Sequence, residues 1–263
     1  MSLKHKNYFK KLRKKNWASL RLEETKRYTL IAELYSVETV GVSMLVAGVD
    51  DAGRGSAIGP LVIAGVLMRE EEMPRLVALG VKDSKLLSAR RREVLAPQIK
   101  QIAKDYSVVK LTPGQIDDVV LNRRKLRRLN WLEAQAMAEV IAALRPDKAY
   151  VDASDVLEDR FKAHILDCLP FRIPMVSEHK ADRTYPVVSA ASIIAKVERD
   201  AEIADLARVY GDFGSGYPSD PRTADFLRRC LAGTGEYPDF VRKSWKPVRK
   251  VKSDEESRQT RLI

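Results

Sequence analysis

Two adjacent carboxylates, Asp50 and Asp51, leave a short apolar run (Leu45 to Val49). They enter the turn Ala52-Gly53-Arg54-Gly55-Ser56-Ala57-Ile58-Gly59-Pro60, which holds three glycines and precedes a second apolar run, Leu61 to Met68. Runs of this length bounded by glycine read as buried strands. Neighbouring side chains of a regular strand point to opposite faces, so both acids can serve one site only if the strand ends or bulges there. Gly53 and Gly55 permit such a break. Two carboxylates at the end of a buried strand cost free energy unless a cation compensates them. With no histidine or cysteine beside them, these oxygen donors suit Mg²⁺ or Mn²⁺. A polar hairpin turn between two strands accounts for the same residues, and the stretch alone does not separate the two readings.

Other acids occupy comparable places. Asp152 ends the short apolar segment Lys148 to Val151, and Asp182 follows a segment from Phe171 to Val176 within Glu178-His179-Lys180-Ala181-Asp182. Three or four carboxylates converging from distant strand ends build a cage for two cations a few ångströms apart, suited to in-line displacement at phosphorus. That convergence requires the first, fourth and fifth strands to lie side by side.

The elements that must place these residues follow from spacing. Ser88 is a candidate N-cap for a helix from Ala89 to Ala103 with Val94, Ile99 and Ile102 as its apolar stripe. Tyr106 to Leu111 reads as a third strand, closed by Pro113 and Gly114. A long helix is expected from about Lys125 to Leu144, with Leu129, Leu132, Ala136, Val140, Ile141 and Leu144 on its core face. Asp155 and Glu158 stand at capping-box spacing before a helix from Arg160 to Cys168, which makes Asp155 a cap rather than a catalyst. Pro186 opens a helix to about Val209 whose first turns are small residues, with Ser189, Ser192 and Lys196 on one face. The tight loop Gly214 to Pro221 presents Tyr217, and a helix from Thr223 to Leu231 follows. The order predicts an α/β fold, a mixed sheet flanked by helices.

The net charge of +11 is concentrated at the ends. Residues 1–43 carry ten Lys/Arg against four Asp/Glu, residues 240–263 carry eight against three, and the body from Met44 to Asp239 is neutral. Seven of the basic residues lie in the first fifteen positions without an acid, which points to a polyanionic partner such as nucleic acid, or to a solubilising arm. Residues 1–43 are either an appendage or a segment preceding a true start at Met44. No apolar run approaches the roughly 20 residues that span a bilayer. Cys168 and Cys230 have neither metal-site nor disulfide spacing and are expected as small buried apolar residues in a reducing, cytoplasmic setting.

Five motifs, in order, resemble the type 2 ribonuclease H family, ribonuclease HII. They are Val49-Asp50-Asp51-Ala52-Gly53-Arg54-Gly55, Lys82-Asp83-Ser84-Lys85, Val151-Asp152-Ala153, the run from His179-Lys180-Ala181-Asp182 through Tyr185-Pro186 to Ser192-Ile193-Ile194-Ala195-Lys196, and Gly214-Ser215-Gly216-Tyr217-Pro218. The resemblance spans about Leu45 to Trp245, and the last loop looks most like the archaeal branch. It implies a ribonuclease H-like mixed five-stranded sheet: a catalytic domain over residues 44–210, a C-terminal helical part with a charged tail over 211–263, and a basic extension over 1–43. It also implies hydrolysis of the RNA strand of RNA/DNA hybrids and of single ribonucleotides in duplex DNA, leaving 3′-hydroxyl and 5′-phosphate ends. Asp50, Asp51, Asp152 and Asp182 match the family's metal-binding acids for two Mg²⁺ or Mn²⁺ ions. Gly53, Arg54 and Gly55 match the loop whose backbone reads the 2′-hydroxyl, and Tyr217 matches the tyrosine that stacks on the sugar. Lys82 and Lys85 look like phosphate contacts, and Ser84 and Ser189 are grouped with them as substrate-binding residues.

Two departures are visible. The family normally carries glutamate where this chain has Asp51. The tail Gln259-Thr260-Arg261-Leu262-Ile263 looks like the start of a sliding-clamp motif but lacks its aromatic pair. A monomer is expected. Two other readings are a non-catalytic hybrid-binding protein, in which Asp51 marks lost activity, and a resolvase-like nuclease on the same fold. The second gives the glycine–arginine–glycine loop no purpose. Ribonuclease HIII is disfavoured because residues 1–43 are too few for its extra N-terminal domain.

Overall fold

A computed structural model of the chain describes residues 43–81, 84–121 and 128–260. Five strands form one sheet: β1 Leu45–Ala52, β2 Leu61–Arg69, β3 Asp105–Leu111, β4 Lys148–Asp152 and β5 Met175–Glu178, in the order β3-β2-β1-β4-β5. The first three are antiparallel neighbours, whereas β1, β4 and β5 run parallel, so their carboxyl ends open on the same edge. The adjacency required for the acids to converge is therefore present.

Eight α-helices lie among the described residues: α1 Met73–Ala78, α2 Ala89–Ile102, α3 Pro113–Leu121, α4 Arg128–Leu144, α5 Glu158–Cys168, α6 Pro186–Tyr210, α7 Pro221–Thr234 and α8 Lys246–Thr260. One face of the sheet buries Ala47, Val49, Ala149 and Val151 against Met137, Val140 and Ile141 of α4. The other face takes α6, whose first ten residues, Pro186 to Ala195, are all buried. Small side chains let α6 approach closely. A Cβ on Gly48 would stand 2.3 Å from the Val187 carbonyl carbon, so only glycine lets β1 run against that backbone. A second apolar cluster joins Ala57 and Ile58, from the β1–β2 connection, to Phe213, Phe226 and Val241 in the C-terminal part.

Several elements differ from the sequence expectation. Pro113 and Gly114 do close β3, but they also open α3, because proline fits the first helical turn, where its missing N–H is not needed. The fifth strand begins at Met175 rather than Phe171, because Pro174 cannot donate to the ladder. Ser88 does cap α2, accepting from the Arg91 N–H at 3.2 Å, yet Leu95, Ala96 and Ile99 are the buried face and Val94 is exposed. Asp155 does not cap α5. It is buried, accepts from the Leu157 N–H at 3.1 Å, and receives the Arg160 guanidinium on both oxygens. Helix α7 is longer than expected and begins at Pro221, with Asp220 as its cap. Both cysteines are free and half-buried rather than fully buried. Among the described residues no helix is long and apolar enough to cross a membrane.

Candidate active site

Strand β1 does not break at the acid pair. Its ladder continues through Asp50, Asp51 and Ala52, paired with Ala64, Ile63 and Val62, so the two carboxylates stay on opposite faces. This corrects the expectation of a bulge. Asp50 faces α6, and its carboxylate is buried and accepts from the Ser192 hydroxyl. That hydroxyl lies 2.8 Å from the Ser84 hydroxyl. Since Ser192 gives its proton to Asp50, Ser84 donates to Ser192 in turn. Asp51 faces α4, and its Oδ1 accepts from the Ser154 hydroxyl at 3.2 Å.

Val49 is level with Val151 on the parallel neighbour β4, which puts Asp50 and Asp152 level with one another at the two strand ends. Asp152 Oδ1 accepts from the Ala181 N–H at 2.9 Å and so ties itself to the short 3₁₀ turn Ala181–Arg183 that carries Asp182. Lys180 enters that turn in the left-handed conformation, with φ 59°. Ser189, in the first turns of α6, donates to the Asp182 carbonyl and fixes the turn from above. Burial, with the charges of Asp152 and Asp51 behind it, pushes the Asp50 carboxyl well above the usual range, and the Ser192 hydrogen bond opposes this. Among the described residues no three acid, histidine or cysteine side chains stand close enough together to hold one ion as they are placed here. The four aspartates are neighbours through their charges and their backbone ties, with Asp51 around the strand edge from the rest.

The turn after β1 is held from both sides. Gly53 has φ 88°, and a Cβ there would meet the Pro60 carbonyl at 2.8 Å. Arg54 sends its guanidinium to α4, where Nε lies 2.9 and 3.0 Å from the two oxygens of Glu133 and Nη2 lies 2.7 Å from Asn130 Oδ1. Glu133 is fully buried. Burial and the nearby Asp51 charge push it up to about 8, with Arg54 pulling it back down. The Arg54 side chain is thus spent on the protein, and the turn presents its backbone. Gly55 is open. A Cβ there would meet nothing nearer than the Tyr217 ring at 4.0 Å.

Tyr217 is half-buried, with the Arg199 guanidinium over its ring at 4.6 Å. Arg199 also donates to the Ser215 carbonyl at 2.6 Å, which holds the Gly214–Pro221 loop against α6. A cavity of about 310 Å³ opens beside them, its charged lining being Arg92, Lys196, Arg199 and Asp200.

The other expected substrate contacts divide. Ser84 and Ser189 are buried, the Ser84 hydroxyl against the Ser192 hydroxyl and the Ser189 hydroxyl on the Asp182 carbonyl. Lys82 lies outside the described residues, as does the Lys85 side chain. Sequence reasoning passed over Glu133, Arg199 and Arg92. Glu133 had left a signal, an acid four residues after Leu129 and three before Ala136 on the apolar face of α4. Arg199 continues the Ser192–Lys196 face of α6.

A mixed sheet in this order, helices on both faces and acids at the ends of its parallel strands make this a ribonuclease H-like α/β protein. The ribonuclease H2 of Pyrococcus horikoshii superposes with a TM-score of 0.74 at 45% identity, covering 81% of this chain and 99% of that one. The ribonuclease HII of Archaeoglobus fulgidus, solved in complex with PCNA, gives 0.70 at 45% identity over 78% and 96%. A Bst ribonuclease HIII solved with Mn²⁺ shares the fold, with a TM-score of 0.68 at 22% identity over 87% and 73%. Among curated relatives, the ribonuclease HII of Thermococcus kodakarensis is 45% identical over 216 residues, 81% of this chain and 92% of its own. That of Methanosarcina barkeri is 43% identical over 220 residues, 80% and 96%. The ribonuclease HII family profile matches residues 47–248, and the chain belongs to that family. It is a type 2 ribonuclease H, an endonuclease acting on RNA/DNA hybrids.

Proposed function

We propose that the protein cleaves the RNA strand of hybrids and also single ribonucleotides within duplex DNA, cutting on the 5′ side of the ribonucleotide to leave 3′-hydroxyl and 5′-phosphate ends. The observation that carries this reading is the level placement of Asp50 and Asp152 on adjacent parallel strands, with the Asp182 turn tied to Asp152 and the glycine turn immediately beyond Asp51. Asp50, Asp51, Asp152 and Asp182 offer only hard oxygen donors, and a buried Asp50 surrounded by like charge gains from a cation, so their chemistry suits two Mg²⁺ or Mn²⁺ ions once the carboxylates draw together around them. Such ions, when bound, acidify the attacking water and neutralise charge on the leaving oxygen.

The chain's own residues supply the rest. The Ser84–Ser192 pair and the Ala181 N–H orient Asp50 and Asp152, which leaves little to reorganise when substrate arrives. Backbone groups at Gly53, Arg54 and Gly55 approach the sugar and read its 2′-hydroxyl, the group that separates RNA from DNA at a given position. Tyr217, steadied by Arg199, stacks on the sugar at the junction. Lys82 and Lys85 take phosphates, and the basic termini take the flanking duplex. The working unit is read as a monomer in the cytoplasm. A sliding clamp is the partner read for the C-terminal tail, supported by the PCNA complex of the Archaeoglobus relative and by Gln259, though without an aromatic pair.

The test is one gel. A DNA duplex with a single ribonucleotide is incubated with and without Mg²⁺ or Mn²⁺, using wild type, Asp50→Asn and Asp152→Asn. Cleavage by wild type only with the cation, and none by either variant at an unchanged melting temperature, is expected. Near-normal cleavage by either variant would overturn the assignment of the acids.

A further inference from the structure

Arg242 is the largest fully buried side chain among the described residues. Its guanidinium donates through Nη1 to the Arg54 carbonyl at 2.9 Å, and through Nε and Nη2 to the Gly59 carbonyl at 3.2 and 3.1 Å. Its backbone N–H reaches the Ala57 carbonyl at 2.9 Å, and Val241 forms a β-bridge with Ile58. Asp117 of α3 holds the same segment in place, accepting the Lys243 and Ser244 N–H groups at 2.8 and 2.9 Å. The Trp245 ring packs against the guanidinium at 5.2 Å. Among the described residues no carboxylate forms an ion pair with Arg242, and burial lowers its affinity for the proton.

A buried cation without a direct counter-charge is an expensive way to satisfy two backbone carbonyls, since the cost of desolvating the charge falls on the fold. A guanidinium has something an apolar side chain lacks, a rigid planar fork that fixes two acceptors at a set separation. Here the two acceptors are the carbonyls at the start and end of the turn after β1. We infer that Arg242 is a positioning residue for that turn, setting the backbone of Gly53, Arg54 and Gly55 at the height from which it meets a ribose. The inference rests on the reading of that turn as the 2′-hydroxyl reader. Arg54 is held from α4 by its side chain and from Arg242 by its carbonyl, so the turn cannot shift without losing one or the other.

The consequence differs between substrates. A uniform RNA strand presents a 2′-hydroxyl in every register, so an imperfectly placed turn still finds one. A single embedded ribonucleotide presents only one. The experiment measures kcat and KM for Arg242→Met and Arg242→Lys on both substrates, together with melting temperature. Expected for Arg242→Met is a loss of about tenfold or more in kcat/KM on the single ribonucleotide, a loss below about threefold on the uniform hybrid, and a fall in melting temperature that is the same whichever substrate is assayed, since the Arg54 and Gly59 carbonyls lose their donor. Equal losses on both substrates, or none, overturn the inference. If Arg242→Met does not fold, Arg242→Lys is read by the same criteria. If neither folds, Arg242 is a core residue and the inference fails. Gly55→Ala, for which there is room, separates the two layers. If it affects both substrates alike, the reading of the turn is wrong. If it discriminates and the Arg242 variants do not, only the role of Arg242 is lost.

Discussion

Asp51 stands across the strand edge from Asp50, one methylene shorter than the glutamate that the family resemblance leads one to expect, with its Oδ1 engaged by Ser154. Reaching around an unbroken strand end calls for length, so Asp51→Glu is expected to tighten the midpoint of Mg²⁺ or Mn²⁺ activation and raise the rate at low cation. Activation curves of the two proteins on one substrate check this, and an unchanged or weaker midpoint means the site has adjusted around aspartate. The places of Asp50, Asp51 and Asp152 near the ends of β1 and β4 were legible in the sequence because a carboxylate at the end of a buried strand costs free energy without a partner. The path of the backbone was not legible in the same way. Glycines two and four positions after Asp51 permitted a bulge but did not require one, and the ladder kept its register. Glu133 and Arg199 were harder to see, because their partners Arg54 and Tyr217 lie in loops outside the helices that carry them. The burial of Ser84 and Ser189 escaped for a related reason: a hydroxyl paired inside the fold has the same sequence signature as one on the surface.

At the scale of elements, the site depends on how closely α6 lies against β1. Adding a Cβ at Gly48 forces Val187 backbone and strand apart, at about 1–3 kcal/mol for an overpacked core. Gly48→Ala should lower the melting temperature by roughly 2–4 °C per kcal/mol and lower cleavage with it, because Asp50 and the Asp182 turn would separate. Calorimetry alongside the cleavage assay tests whether the two fall together. The Tyr217 loop has its own anchor in Asp220, whose carboxylate accepts the Ser215 and Arg222 N–H groups at 2.7 and 3.0 Å. These bonds depress it from 3.8 to about 2. A depressed acid contributes stability above its unfolded value and loses it as pH falls through the folded one. Asp220→Asn should therefore melt lower than wild type near neutrality, with the gap closing as pH drops from 3.8 towards 2. A gap independent of pH would mean that the charge is not what holds the loop. Elements with one dominant signal, such as β1, β2, α4 and α6, could be read from their apolar patterns. The start of the edge strand β5 and the presence of helix α3 could not, because in both a proline satisfies two descriptions and the tertiary context chooses.

At the scale of the molecule, a neutral body lies between two basic ends. If the first fifteen residues touch phosphates, removing their seven charges should weaken substrate binding and reduce the log–log salt slope by up to about six, at roughly 0.9 per contact. Titrations at several salt concentrations measure it, and an unaltered slope makes the segment a bystander. The union of Arg242 with Arg54, 188 positions earlier, bears on the order of events during synthesis. Strands β1 to β5 and all four acids are complete well before residue 242 is made, so a growing chain can assemble its sheet and acidic cluster while the turn beside them still lacks its brace. Selectivity for ribose would then come after the sheet and the acids are in place, arriving only once residue 242 has left the ribosome.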